Sequence, residues 1–310
     1  MSYLYYEAIN WDNIQDTFDK YVWEALTSHF WLDTRIPVTE DVNMWEHYSD
    51  YEKSTIAKML ASTSLISAYQ SESGIPSIRH DRITKPEEAV YNTITFMKSV
   101  HAKSTTTIFR ELLPNEGSKY FNWADSSIEI QREFSTLSIN INDNYSSLKR
   151  KFVSILFETG LLFGKYYEIL EHQELRNSNK IISSILRGNS IFSIYIGYKF
   201  QLGFNKLNRI DKNIFLNWVE DTINNVIKLE EHFLQENSSN PQSAIELVHY
   251  GVNYMLTSLN LEQKYIEIDT ESTKYLEQIL VEPKKFIEQE KVQINGIDNI
   301  EDMDDQDYDF

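Results

Sequence analysis

Lys98 and His101 stand three residues apart in the stretch Phe96-Met97-Lys98-Ser99-Val100-His101-Ala102-Lys103-Ser104. Residues at i and i+3 share one face of a helix. Glu-x-x-His in this register lets a carboxylate and an imidazole of one helix reach a single metal ion. Lysine brings a cation to the place where a carboxylate would neutralise one. The carboxylate version does occur at Glu246-Leu247-Val248-His249. A lone pair of that spacing is common on helices, and no metal is expected there. The chain has no cysteine, which removes disulfides, thiolate zinc sites, iron–sulfur clusters and a cysteine nucleophile from consideration.

The elements that would position such residues read as long helices. With 9 glycines and 6 prolines in 310 residues, turns are few. Ile14, Phe18, Val22, Leu26 and Phe30 recur every fourth residue and predict a helix over 12–30. A second is expected from Asp50 to about Ser73, stopped by Gly74. Pro86-Glu87-Glu88 has the proline and acids of a first helical turn, so a third should run from 86 through His101 to 113. Further helices are expected over 119–124, 127–140, 146–171, 177–203, 211–236 and 241–259. No strand series or tandem repeat is visible, and 266–297 is polar. The expectation is an all-α domain over 1–297 and a flexible tail over 298–310.

Composition narrows the function. The chain is 41% hydrophobic and 25% charged, as a globular protein with a sizeable core should be. A net charge of -18 repels phosphate backbones, so no nucleic-acid partner is expected. No apolar run is long enough to cross a bilayer, and residues 1–7 lack the pattern of a secretion signal. The location expected is cytoplasmic, with no membrane partner. Acidic residues crowd the end of the chain, where like charges keep a segment extended. The terminal Asp307-Tyr308-Asp309-Phe310 adds two aromatic anchors, as in a peptide that docks on a basic, grooved partner.

Four strings resemble the small, radical-generating subunit of class Ib ribonucleotide reductase. They are Phe30-Trp31-Leu32-Asp33-Thr34-Arg35-Ile36-Pro37, Gln70-Ser71-Glu72, Ser99-Val100-His101-Ala102-Lys103-Ser104 and the segment from Tyr195 to Asn205. The resemblance covers residues 8–260 and the Asp-Tyr-Asp-Phe ending. It implies a ferritin-like bundle, a dimer, a dinuclear iron or manganese site beside a radical tyrosine, and a large catalytic subunit as partner.

Carried over position by position, the resemblance implies that most of the cofactor machinery has been replaced. The aspartate ligand falls on Ser67. The first Glu-x-x-His becomes Lys98 with His101. The radical tyrosine falls on Thr105. The single glutamate survives as Glu158. The second Glu-x-x-His becomes Asn189 and Phe192, and the aspartate before it, on the radical-transfer route, becomes Gly188. Hard cations need anionic oxygens, and this set is poor in them. A buried Glu158 without metal would be an unpaired charge, so Lys98 is expected to pair with it, with His101, Asn189 and Ser67 available for hydrogen bonds. Trp31 matches the family's electron-transfer tryptophan, although a core aromatic reads as well there. Tyr308 resembles a relay tyrosine, with docking the preferred role for its segment.

The expected function is that of a small-subunit homologue without a cofactor of its own, auxiliary or regulatory in deoxyribonucleotide synthesis, as a homodimer or paired with another small subunit. The alternative is an active small subunit with a metal-free radical, as in class Ie, where one glutamate position also carries lysine. Thr105 argues against storing that radical at the usual tyrosine.

Overall fold

A computed structural model describes residues 8–79, 83–138, 146–266 and 269–295. Among them every regular element is helical: α1 (Thr17–Ser28), α2 (Val42–Glu46), α3 (Asp50–Tyr69), α4 (Ile75–Ile78), α5 (Lys85–Leu112), α6 (Gly117–Ser126), α7 (Ile128–Ser138), α8 (Ser146–Ile155), α9 (Leu162–Lys165), α10 (Tyr167–Glu171), α11 (Arg176–Phe204), α12 (Arg209–Asn237), α13 (Pro241–Ser258), α14 (Glu271–Ile279) and α15 (Pro283–Asn295). The all-α expectation holds. The terminal residues Asp307 to Phe310 lie outside the described residues.

Local chemistry sets the helix starts. Ser49 and Glu52 form a capping box on α3, and Thr84 accepts from Glu87 N ahead of the proline in the first turn of α5. The N-terminus of α11 is capped from elsewhere in the chain. The Asp41 carboxylate accepts from Ser178 N at 2.7 Å, Ser178 Oγ at 2.8 Å and Asn177 N at 3.1 Å. A carboxylate suits the positive end of a helix dipole.

Two expectations need correction. Gly74 does not stop a helix at residue 73: α3 passes into a π turn over Gln70–Gly74 and then into α4. The expected helix over 146–171 is broken in the same manner, with a π turn over Leu156–Leu161 between α8 and α9. A π turn inserts a residue and shifts the face that follows, which periodicity alone does not reveal. The polar stretch after 266 also carries structure, in α14 and α15.

The core lies between α3, α5, α11, α13 and the second π turn. Ile181, Ile182, Ile185, Leu186, Ile194 and Ile196 of α11 are all buried, each removing about 1.5–3 kcal/mol worth of apolar surface from water. Gly251 lets α13 lie directly on the second π turn, since a Cβ there would come 2.1 Å from Thr159 O. The turn bearing Glu158 is thereby pressed inward.

Candidate functional site: a buried lysine–glutamate centre

The two π turns and α5 converge on Glu158. Its Oε2 pairs with Lys98 Nζ, with side chains 1% and 0% exposed. Its Oε1 accepts from Gln70 Nε2 at 2.8 Å. Gln70 is held by Ser154, donating to its carbonyl at 2.9 Å and reaching its Oγ at 3.2 Å. Lys98 also donates to Asn189 Oδ1 at 2.5 Å, and Asn189 Nδ2 lies 3.4 Å from Glu158 O. The Phe192 ring centroid is 4.5 Å from Lys98 Nζ, a cation–π contact. Both oxygens of the glutamate thus have donors, and the ammonium has two acceptors and an aromatic face.

Burial pulls the Lys98 ammonium down to about 8, and Glu158 opposes that shift. The two groups face each other as a buried salt bridge. His101, one turn along α5, is 1% exposed and held well below the ordinary imidazole range, first by burial and then by the neighbouring Lys98. Both effects favour its neutral form, and neither of its ring nitrogens has a hydrogen-bond partner among the described residues. Its ring lies near-parallel to those of Trp31 (5.8 Å, 19°) and Phe192 (6.0 Å, 21°).

The structure therefore brings Lys98, His101, Glu158, Asn189, Phe192 and Trp31 together. Ser67 on α3 and Thr105, one turn beyond His101 on α5, are also buried. The expected hydrogen bonding is corrected in part: Asn189 joins the pair, whereas His101 and Ser67 make no hydrogen bond to it. His101 packs against the rings of Trp31 and Phe192, and the lysine donates to Glu158 and Asn189 instead.

Gln70 is the participant that sequence reasoning missed. It sits one turn beyond Ser67 on the same helix face, and that spacing was the available signal. A second buried charge cluster also went unread. Lys165 pairs with Glu230 and lies 3.5 Å from Glu133, all fully buried. Glu133 is raised well above the carboxylate range by burial and by Glu230.

Two motif strings have structural duties. In the first, Asp33 binds Lys103 at 2.5 Å and also Thr107, tying the turn after Trp31 to α5. In the last, Tyr195 donates to Asp19 at 2.7 Å, and Lys199 lies 2.6 Å from both Asp16 and Asp19. These contacts fasten α1 to α11.

The family model described as "Ribonucleotide reductase, small chain" matches residues 8–272. The chain belongs to this family. It is 35% identical over 200 residues to the ribonucleoside-diphosphate reductase subunit beta of Mycobacterium leprae, a match covering 63% of this chain and 61% of that one. It is 28% identical over 271 residues to subunit beta nrdF2 of Mycobacterium tuberculosis, covering 85% and 83%. The dimanganese(II)-NrdF structure of Streptococcus sanguinis superposes with a TM-score of 0.80 at 35% identity, covering 84% of this chain and 94% of that one. The R2 subunit of Clostridium botulinum shares the fold, at TM-score 0.71 and 18% identity. The class Ib-like resemblance and the ferritin-like helical fold are thereby borne out.

The donors at the centre of this family member do not suit a dinuclear metal site. The one carboxylate is already ion-paired, the facing positions are a lysine, an amide and a phenyl ring, and one imidazole remains. Among the described residues no group of three or more histidine, aspartate or glutamate side chains gathers where it could hold a metal ion. No described helix is long and apolar enough to cross a membrane.

Proposed function

We propose that this chain is a small-subunit homologue of ribonucleotide reductase that carries neither the dinuclear metal centre nor its tyrosyl radical. It acts as an auxiliary or regulatory subunit in deoxyribonucleotide synthesis. The single observation that carries this reading is the Lys98–Glu158–Asn189 cluster, a closed set of charge and hydrogen-bond partners. Two metal ions would bring several positive charges to a site that already has its counter-ion. Thr105, at the position of the radical tyrosine, has no phenol to oxidise.

Small subunits of this family pair with a large catalytic subunit and form dimers. Here we assign docking on the large subunit to Asp307, Tyr308, Asp309 and Phe310, with the second protomer either another copy or an active small subunit. The test is a reconstitution with the large subunit. Binding that depends on residues 298–310, with no ribonucleotide reduction unless an active small subunit is added, supports the proposal. Sustained reduction by this chain and the large subunit alone overturns it.

One observation favours the alternative of an active subunit with a metal-free radical. Tyr195 is fully buried and donates to the Asp19 carboxylate, which could take its proton on oxidation. That reading requires a protein-based electron paramagnetic resonance signal.

A further inference from the structure

Two clefts meet at Arg187 and His29. The first, of about 210 Å³, lies between the end of α1, α5 and α11, with Phe30, Trp31, Met97 and Gly188 among its walls. The second, of about 350 Å³, lies between α1, α11 and α15 and is lined by Tyr21, Glu24, Phe286 and Gln289. Arg187, His29 and Ile191 belong to both.

Charge separates the two. Arg187 is the one side chain of fixed charge among the described residues of the first cleft, whereas the second also holds Glu24. His29 Nδ1 lies 2.8 Å from Ala25 O and donates to it, so Nε2 accepts from Arg187 Nη2 at 3.2 Å. No carboxylate among the described residues pairs with Arg187, which is exposed. On a chain of net charge -18, an apolar cleft with a lone cation at its mouth is an exception. Phe30 is still 45% exposed although it stacks on Phe96. An exposed aromatic beside an uncompensated cation suits a ring that carries a carboxylate next to it.

We propose that residues 296–310 of the same chain dock in the first cleft, with the Phe310 ring against Phe30 and Trp31 and the Asp309 carboxylate on Arg187. The segment carries seven acidic residues and no basic one, which complements the rim. A cavity of about 150 Å³ holds benzene, so this cleft takes one phenyl ring. Phe310 is the anchor rather than Tyr308, because a phenol between apolar walls would need a hydrogen-bond partner. The segment also starts close by. Phe286 and Gln289 of α15 line the second cleft beside Arg187, and the helix ends at Asn295, about 9 Å of helix beyond Gln289. At about 3.3 Å per residue, residues 296–310 span up to roughly 50 Å, enough to turn back to the first cleft. One ring and one rim charge would hold a free peptide weakly, but the tether supplies a millimolar effective concentration. While docked, the segment is withheld from other partners. That consequence for the large subunit rests on the docking role assigned above; the contact within the chain does not.

The experiment uses the full chain alone. Because it has no cysteine, Gln306→Cys takes a single nitroxide spin label. The indole signals of the ¹⁵N-tryptophan-labelled protein are then followed by nuclear magnetic resonance, with Trp31 identified by its loss in Trp31→Phe. The expected result is paramagnetic broadening of Trp31 well beyond that of Trp218 on α12, which lines neither cleft. Phe310→Ala should reduce the broadening about fivefold or more by removing the buried ring. Arg187→Gln, at an exposed position, should reduce it about twofold by removing the rim charge. Equal broadening of Trp31 and Trp218, or broadening unchanged in Phe310→Ala and Arg187→Gln, overturns the proposal. So does broadening of Trp31 that appears only when the spin label sits on a second, ¹⁴N copy mixed with the ¹⁵N chain, since the occupant would then be another protomer. Each result is read without a large subunit and stands whether or not the chain binds one.

Discussion

Lys98 Nζ meets Glu158 Oε2 where both side chains are closed off from solvent, between α5 and the second π turn. A buried ion pair is no strong source of stability in itself, because desolvating two charges offsets most of their attraction. Breaking it from one side is a different matter. Lys98→Met strands a carboxylate that only Gln70 then serves, and should cost about 3–5 kcal/mol of folding stability. The double variant Lys98→Met/Glu158→Gln removes the stranded charge and should recover most of that loss. Urea unfolding of the two single variants and the double variant measures the coupling directly.

Glu133 gives a pH-dependent expectation. Its carboxyl is raised well above the usual range in the folded protein, chiefly by burial. In the unfolded chain it ionises near the ordinary value. Between those two values the unfolded state has released a proton that the folded state retains, so this group makes stability fall as pH rises above about 4.5. Glu133→Gln removes that dependence. Its advantage over the natural chain should grow by up to about 1.4 kcal/mol per pH unit above that point, read from urea midpoints between pH 5 and 7.

The unpartnered His101 should be a liability to folding. His101→Phe keeps the stack with Trp31 and Phe192 and removes two buried polar atoms. It should raise stability by about 1 kcal/mol, visible as an increase in thermal midpoint. A drop would mean that the imidazole is satisfied in solution.

How much of this was legible in the sequence follows from what each residue depends on. The long helices were readable because Ile, Leu and Phe recur at helical spacing, and α11 and α12 begin within two residues of their expected starts. The meeting of Lys98, Asn189 and Phe192 at one centre was expected because the flanking strings place all three on facing elements. The pairing of Lys98 with Glu158 followed from charge balance. Gln70 was not foreseen as its partner, although it stands one turn beyond Ser67 on the same face, because an amide side chain in a helix reads as readily as a solvent-facing one. The Glu133–Lys165–Glu230 cluster was hidden for another reason. Its members lie on three helices far apart in sequence, and single charges on amphipathic helices look like solvent-facing ones.

Adding metal donors at this centre should create metal binding. Ser67→Asp, Lys98→Glu, Asn189→Glu and Phe192→His together rebuild the carboxylates and imidazole around Glu158 and His101. The fourfold variant should take up manganese or iron with oxygen and nitrogen ligands. Isothermal titration with manganese checks this, with the natural chain as the control that shows no specific heat.

The most direct measurement of the central claim is the metal content of the natural chain, purified after growth with ample iron and manganese, together with its electron paramagnetic resonance spectrum. The account predicts metal far below one ion per chain and no tyrosyl signal, while an active small subunit treated in parallel shows both. Stoichiometric iron or manganese that is lost in Glu158→Gln would contradict it, because the carboxylate would then be serving a metal rather than Lys98.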